Sequence, residues 1–287
     1  PVSAIETPSG KGSGDENFPV ASRLIAPALR GHVMAYYAFA RAGDDIADNP
    51  ALAPDDKIAR LDRLGAALGG EADAGDLPVA RELRARLLDT GVPLDRGLDL
   101  LTAFKQDAVQ QRYADWDQLI GYCVHSANPV GRFLLDLHGE PAAARPLSDA
   151  LCTALQILNH LQDLADDYRR LNRVYLPESW FAAEGLDVDA LAAPRADARL
   201  RRVIDRALDG VGDLLPDARS LPRHLTDRRM AMEAGAIAAL AQALYHRLRR
   251  QDPLAVRVAL TKPAKLGVAG RGALAAAWTP RPAAPRA

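Results

Sequence analysis

The sequence lacks most of the features that would announce a function at once. Only two of its 287 residues are cysteine, Cys123 and Cys152. Neither a disulfide framework nor a cysteine zinc site is therefore available, and the reducing cytosol is the simplest compartment. No apolar run reaches the roughly 18–20 residues that span a bilayer. The first 15 residues are rich in Gly, Ser and Pro with no apolar stretch, so no secretory leader is expected. Neither sign of charge predominates: 36 Lys and Arg stand against 37 Asp and Glu, for a net charge of −1. Nothing in that balance attracts nucleic acid. There is no P-loop glycine pattern, no nucleophile elbow, no Glu-x-x-His pair of the di-iron kind and no repeat of fixed period. The expectation is a soluble chain, at most peripheral to a membrane.

What the chain does contain is helix-forming sequence. Apolar residues make up 48% and charged residues 25%, which are globular values, and the length suffices to bury a core. Ala, Leu and Arg dominate, and no stretch alternates apolar with polar residues long enough for a strand. The spacing predicts helices over 27–48, 54–68, 77–90, 93–111, 115–137, 146–170, 196–215 and 225–251. Breakers such as Asn49-Pro50, Gly69-Gly70, Gly91-Val92-Pro93, Pro216 and Asp252-Pro253 separate them. The turns are short, so one all-α domain over 15–278 is expected, with a leader over 1–14 and a Pro/Ala tail over 279–287.

Two acidic stretches carry the chemistry. The first runs Tyr36-Tyr37-Ala-Phe-Ala-Arg41-Ala-Gly-Asp44-Asp45-Ile-Ala-Asp48. On a helix, Asp44, Asp45 and Asp48 crowd one turn, where like charges repel unless a cation joins them. Arg41 and Tyr37 lie one and two turns earlier, an anion-binding pair beside a cation-binding cluster. An acidic helix end that is simply solvated would look the same. The second stretch is Gln156-Ile-Leu-Asn159-His-Leu-Gln162-Asp163-Leu-Ala-Asp166-Asp167. Asn159, Asp163 and Asp167 follow one another at i, i+4 and i+8, with Gln156 and Asp166 flanking. An amphipathic helix with an exposed polar face is the ordinary alternative, although Leu155, Ile157, Leu158, Leu161 and Leu164 cover the rest of the surface. Two oxygen-rich patches in the two halves of one chain suit Mg²⁺, which keeps waters and is completed by substrate phosphates. Tyr122, Ser126 and Pro129 can share a face of the helix between them, and Pro129 with Gly131 marks an irregularity there. Tyr122 can equally be a packing residue with a satisfied hydroxyl.

These residues resemble the squalene and phytoene synthase family. Tyr37 to Asp48 is similar to its first aspartate-rich motif. Asn159 to Asp167, followed by Arg173-Val-Tyr-Leu-Pro177, is similar to the second. Asp107…Arg112-Tyr113 and Tyr122-Cys123…Val130-Gly131 fall between them in the family's order, and the likeness runs from about Asn17 to Lys265. It implies the all-α class I terpenoid (isoprenoid) synthase fold, a single domain with a central active-site cavity. The chain departs from the family at three places: Asn17-Phe18 where many members have Ser-Phe, Gln162 where an arginine is usual, and Ser126-Ala127-Asn128-Pro129 where Val-Ala-Gly is more usual. Glu-Asn-Phe-Pro-Val, Asn-His-Leu-Gln-Asp and Arg-Val-Tyr-Leu-Pro resemble the hydroxysqualene synthase branch of bacterial hopanoid biosynthesis.

The resemblance implies a Mg²⁺-dependent enzyme that acts on an isoprenoid diphosphate, presqualene diphosphate in that branch, and captures the resulting cation with water. No nicotinamide cofactor is then needed. Asp44, Asp48, Asn159, Asp163 and Asp167 are the expected metal ligands, with Asp45 and Asp166 supporting them. Tyr37, Arg41 and Arg257, with Lys262 nearby, are expected on diphosphate oxygens, and Gln156, Gln162 and Asn17 around the substrate. Phe18, Ala127, Val130 and Leu134 would line an apolar pocket, and Tyr122 would position the water or move its proton. The partners implied are the enzyme that makes presqualene diphosphate and the oxidoreductase that forms squalene. The location implied is cytoplasmic, with peripheral contact at the inner membrane face left open. Two other readings stand beside this one: head-to-head condensation of two farnesyl diphosphates, and a non-catalytic helical assembly factor of the same superfamily.

Overall fold

The computed structural model describes residues 24–71 and 77–281, so Asn17 and Phe18 lie outside the described residues. The chain is all-α. Its helices are α1 (Pro27–Ala47), α2 (Pro54–Gly69), α3 (Pro78–Thr90), α4 (Asp95–Val109), α5 (Trp116–Ser126) and α6 (Asn128–Leu137). They continue with α7 (Arg145–Gln162), α8 (Leu164–Leu171), α9 (Glu178–Ala183), α10 (Ala198–Ser220), α11 (Arg228–Leu248) and α12 (Lys262–Ala277). Proline opens α1, α2 and α3 at the first position, where its missing N–H costs nothing. An isolated bridge between Arg112 and Val174 is the only strand-like pairing among the described residues. No helix among them is long and apolar enough to cross a membrane.

The contacts divide the chain into two units. One comprises the described residues up to Gln110 together with His125–Gly139. Its core is built from Phe39, Leu61, Leu64, Leu68, Leu83 and Leu100, all buried. In it α1 packs on α3 and α4, and α2 on α4. The Tyr36 ring lies flat on Phe133 at 4.0 Å, and its hydroxyl donates to the Arg96 carbonyl at 2.7 Å. Arg96 and Asp136, both largely shielded, pair at 2.7 Å and tie α4 to α6.

The other unit comprises Gln111–Val124 and the described residues from Glu140 on. There α7 packs on α10, α10 on α11, and α11 closely on α12. The start of α11 is held by a buried carboxylate: Glu140 accepts from the Thr226 amide (2.6 Å), the Thr226 hydroxyl (2.9 Å) and the Asp227 amide (2.8 Å). Asp227 in turn caps the helix by accepting from the Met230 amide at 2.7 Å. Glu140→Leu strips three donors of their acceptor and should cost about 3 kcal/mol of stability. A urea titration reads this directly, and a loss under about 0.5 kcal/mol would show that water replaces the carboxylate.

Several boundaries differ from expectation. The helix expected over 115–137 breaks at Ala127, because Pro129 takes an opening position of α6 and so ends α5 ahead of it. The helix expected over 146–170 bends at Asp163, which caps α8 with φ −98° and ψ 8°. Conversely, α10 runs through Pro216 to Ser220. Pro216 is exposed, while Val211, Leu215 and Ala218 keep the apolar face of the helix buried, so packing outweighs the lost backbone hydrogen bond. Helices α9 and α12 lie outside the expected set. The two cysteines are free thiols, and burial, with Cys152 nearby, pushes the Cys123 thiol up to about 12.

Candidate active site

The first acidic stretch forms the last turns of α1. Gly43, just before the aspartates, lies under Phe104 of α4: a Cβ there would stand 2.6 Å from the ring. The small residue thus lets the acidic turn sit close on α4. Arg41 pairs with Asp44 at 2.8 Å and with Asp45 at 2.8 Å. The repulsion inferred from the sequence is therefore answered from one turn back on the same helix. Burial alone would lower the Arg41 guanidinium, but Asp44, Asp45 and Tyr37 beside it outweigh that and raise it, so it stays charged. Lys57 of α2 donates to the Ala47 carbonyl at 2.7 Å, bringing an ammonium to the C-terminal end of α1, where positive charge is favoured. Lys57 has no signal in the sequence, since nothing in the local pattern of α2 points at the preceding helix.

The second stretch straddles the bend at Asp163. The Asp163 amide donates to the Asn159 carbonyl at 3.0 Å and the Asp167 amide to the Asp163 carbonyl at 2.8 Å. The i, i+4, i+8 register of the three side chains therefore survives the bend. Leu158, Leu161, Leu164 and Ala165 are buried, while Gln156, Asn159, Asp163 and Asp167 keep partial exposure and Asp166 is exposed. Asp166 and Asp167 also stand in the first turn of α8, where negative charge is favoured. Arg257 reaches Asp163 at 4.0 Å with most of its side chain open to solvent. Gln162, expected on the substrate, is buried and donates through Nε2 to the Val258 carbonyl at 2.5 Å. It thereby ties the segment that carries Arg257 to the end of α7. Lys262 opens α12 and is exposed.

Beside this stretch is an aromatic cluster that the sequence alone does not assemble. Tyr122 meets Tyr113 edge-on at 5.5 Å and Tyr175 at 5.4 Å. His160 stacks on Tyr175 at 3.5 Å and lies 6.0 Å from Tyr122. The His160 Nε2 is enclosed with no hydrogen-bond partner. Burial, and secondarily Arg173, holds this imidazole down at about 3, so it is neutral at physiological pH. Its only signals in the sequence are the strings Asn-His-Leu-Gln-Asp and Arg-Val-Tyr-Leu-Pro, which do not reveal that the two rings stack. Ala127 is buried at the start of α6, and Val130 and Leu134 pack partly against the core of their own unit.

The donor chemistry of both stretches fits Mg²⁺. They offer carboxylate and amide oxygens, and the histidine within them is occupied in a ring stack. Among the described residues no three His, Cys, Asp or Glu side chains converge into a ready cage.

Comparison with known proteins fits the same picture. The squalene/phytoene synthase family model matches residues 12–265. A hydroxysqualene synthase of Rhodopseudomonas palustris is 44% identical over 95% of this chain and 92% of its own length. One of Zymomonas mobilis is 42% identical over 93% and 90%. Among solved structures, the squalene synthase HpnC from Alicyclobacillus acidocaldarius superimposes with a TM-score of 0.71 at 33% identity, covering 81% of this chain and 87% of that one. With a family model spanning both acidic stretches and everything between them, this chain belongs to the squalene/phytoene synthase family.

Proposed function

We propose that the protein converts presqualene diphosphate and water to hydroxysqualene and diphosphate, in squalene and hopanoid biosynthesis. The observation that carries this reading is the similarity, over nearly the whole chain, to relatives named hydroxysqualene synthase. The presence of both acidic stretches supports it. In this reading both stretches serve the substrate's diphosphate. Asp44, Asp48, Asn159, Asp163 and Asp167 would hold Mg²⁺, which when bound would supply positive charge to the departing group. Asp45 keeps Arg41 in place through their ion pair, and Asp166 reinforces the negative field of the second stretch. Tyr37, Arg41 and Arg257 donate to diphosphate oxygens, and Gln162 fixes the Arg257 segment through Val258. Gln156 faces the substrate in this reading.

The C–O bond breaks, the electron pair leaves with diphosphate, and the cyclopropylcarbinyl cation rearranges beside Ala127, Val130 and their apolar neighbours. One water adds its oxygen to the cation and releases a proton, and the aromatic cluster positions that water through Tyr122. No electrons enter, so no nicotinamide cofactor is needed. The product is a C30 alcohol that partitions into lipid. Peripheral contact with the inner membrane face belongs to the same reading. So does hand-over between the enzyme that supplies presqualene diphosphate and the oxidoreductase that consumes hydroxysqualene.

Purified protein with Mg²⁺ should be offered presqualene diphosphate and farnesyl diphosphate separately, with and without NADPH, in ¹⁸O-labelled water. The expected product is labelled hydroxysqualene from presqualene diphosphate, without any need for NADPH. Turnover of farnesyl diphosphate but not presqualene diphosphate would overturn the assignment.

A further inference from the structure

Helix α12 packs through one face only. Ala273, Ala276 and Ala277 are buried, and Gly272 meets Gly235 of α11 at backbone distance. A Cβ on Gly235 would stand 2.6 Å from the Ala276 methyl and 2.7 Å from the Gly272 carbonyl oxygen. This contact fixes which side of α12 is turned outward. On that side Leu266, Gly270, Leu274 and Trp278 recur at every fourth position and form one stripe. Leu266 is 76%, Leu274 60% and Trp278 83% exposed. Four of the seven large hydrophobic residues exposed among the described residues follow Ala255, so the apolar exposure is concentrated here rather than scattered.

The charge of the same region is one-sided. No Asp or Glu follows Asp252, whereas Arg257, Lys262, Lys265, Arg271, Arg281 and Arg286 do, in a chain whose net charge is −1. Alongside the stripe runs a groove of about 510 Å³, with Arg219, Arg223 and Arg271 around Ala239, Ala243 and Val268; no carboxylate lines it. None of the expected site residues lines it either. A second copy of the chain placed symmetrically on this face would set the same cationic surface against itself. An anionic surface with an apolar interior complements both features at once.

We propose that α12 is the face by which the protein lies on an anionic bilayer. Leu266, Leu274 and Trp278 enter the boundary between headgroups and acyl chains, and Arg271 meets lipid phosphates with Arg219 and Arg223. This assignment deepens the peripheral contact proposed above; it stands on the helix face and the basic groove beside it and does not depend on which isoprenoid diphosphate is turned over.

The test is co-sedimentation of the full chain with phosphatidylglycerol-containing vesicles and with pure phosphatidylcholine vesicles. Wild type should sediment with the first and bind the second at least about tenfold more weakly, since each basic residue at an anionic surface counts for about fivefold. The combined variant L266S, L274S, W278S should lose binding about tenfold or more. The variant R219Q, R223Q, R271Q should fall to the phosphatidylcholine level. All these positions are exposed, so both variants should keep wild-type helicity and turnover of detergent-dispersed substrate. Trp116 and Trp180 stack on each other at 5.3 Å, with Trp180 buried and Trp116 partly so. A vesicle-induced blue shift of tryptophan emission should therefore vanish with Trp278→Ser. Failure of wild type to sediment would overturn the proposal, as would variants that bind like wild type. It would also fall if the apolar variant changed only the oligomeric state, which would assign the face to self-association. An inactive enzyme that still binds vesicles would sink the proposed reaction and leave the docking face standing.

Discussion

Replacing Asp45→Asn together with Asp163→Asn is expected to lower kcat by roughly a thousandfold or more while leaving the helical content intact. Removing a single group that stabilises developing charge in an enclosed site costs about 100- to 1,000-fold, and this pair removes one carboxylate from each acidic stretch. In α1, the amide oxygen introduced by Asp45→Asn can still accept a hydrogen bond from Arg41. The guanidinium nevertheless loses one of the two carboxylates now held at 2.8 Å on either side of it. At the bend, Asp163→Asn keeps the backbone geometry that caps α8, while Arg257, 4.0 Å from the carboxylate, loses its charged neighbour. Both changes are isosteric and both sites are at least partly open to water, so stability should fall by no more than about 1 kcal/mol. Product formation and circular dichroism separate the two effects. Activity within a few-fold of wild type would sink the metal–diphosphate mechanism, whereas absence of turnover in wild type itself would favour the assembly-factor reading.

A large share of this site was legible because helical spacing converts directly into geometry. Asp44, Asp45 and Asp48 could be placed on one turn from their numbers alone, and α1 ends within a residue of the expected boundary. What escaped depends on tertiary contacts that carry no local signature. Asp163 reads as the middle of a continuous helix, yet the chain bends there while i, i+4 hydrogen bonds keep the register across the bend. Gln162 is expected around the substrate, and the bond from its Nε2 to a carbonyl 96 positions away has no local signature. Pro216 reads as a stop, and buried neighbours on either side carry α10 past it. Helix α12 has a weak signature because Gly267, Gly270 and Gly272 lower its intrinsic propensity. Its close fit on α11 needs at least one of them, and that requirement appears only when both helices are in view.

His160 carries the other large effect, on stability at low pH. Its imidazole is held down at about 3 in the folded chain, against an ordinary value near 6.5 when unfolded. Between those values the unfolded chain binds a proton that the folded chain refuses. Stability therefore falls as pH drops below about 6.5, by up to about 1.4 kcal/mol per pH unit until the folded value is reached. By pH 4 the cumulative loss should be about 3 kcal/mol. His160→Phe can keep a ring against Tyr175, removes the enclosed nitrogen that lacks a partner, and cannot titrate. Urea midpoints across pH 4–7.5 should show a flatter acid limb for the variant, with the gap from wild type opening as pH falls. Carboxylate protonation affects both proteins alike and cancels in the difference; parallel curves would contradict the assignment. The same neutrality bears on the reaction. At pH 7 the imidazole adds no positive charge to the second acidic stretch, so in the proposed reaction attraction for an anionic leaving group there would come from Arg257, from Arg173 beside the imidazole and from a bound cation. The pH dependence of turnover above 6.5 should accordingly be the same in wild type and in the phenylalanine variant.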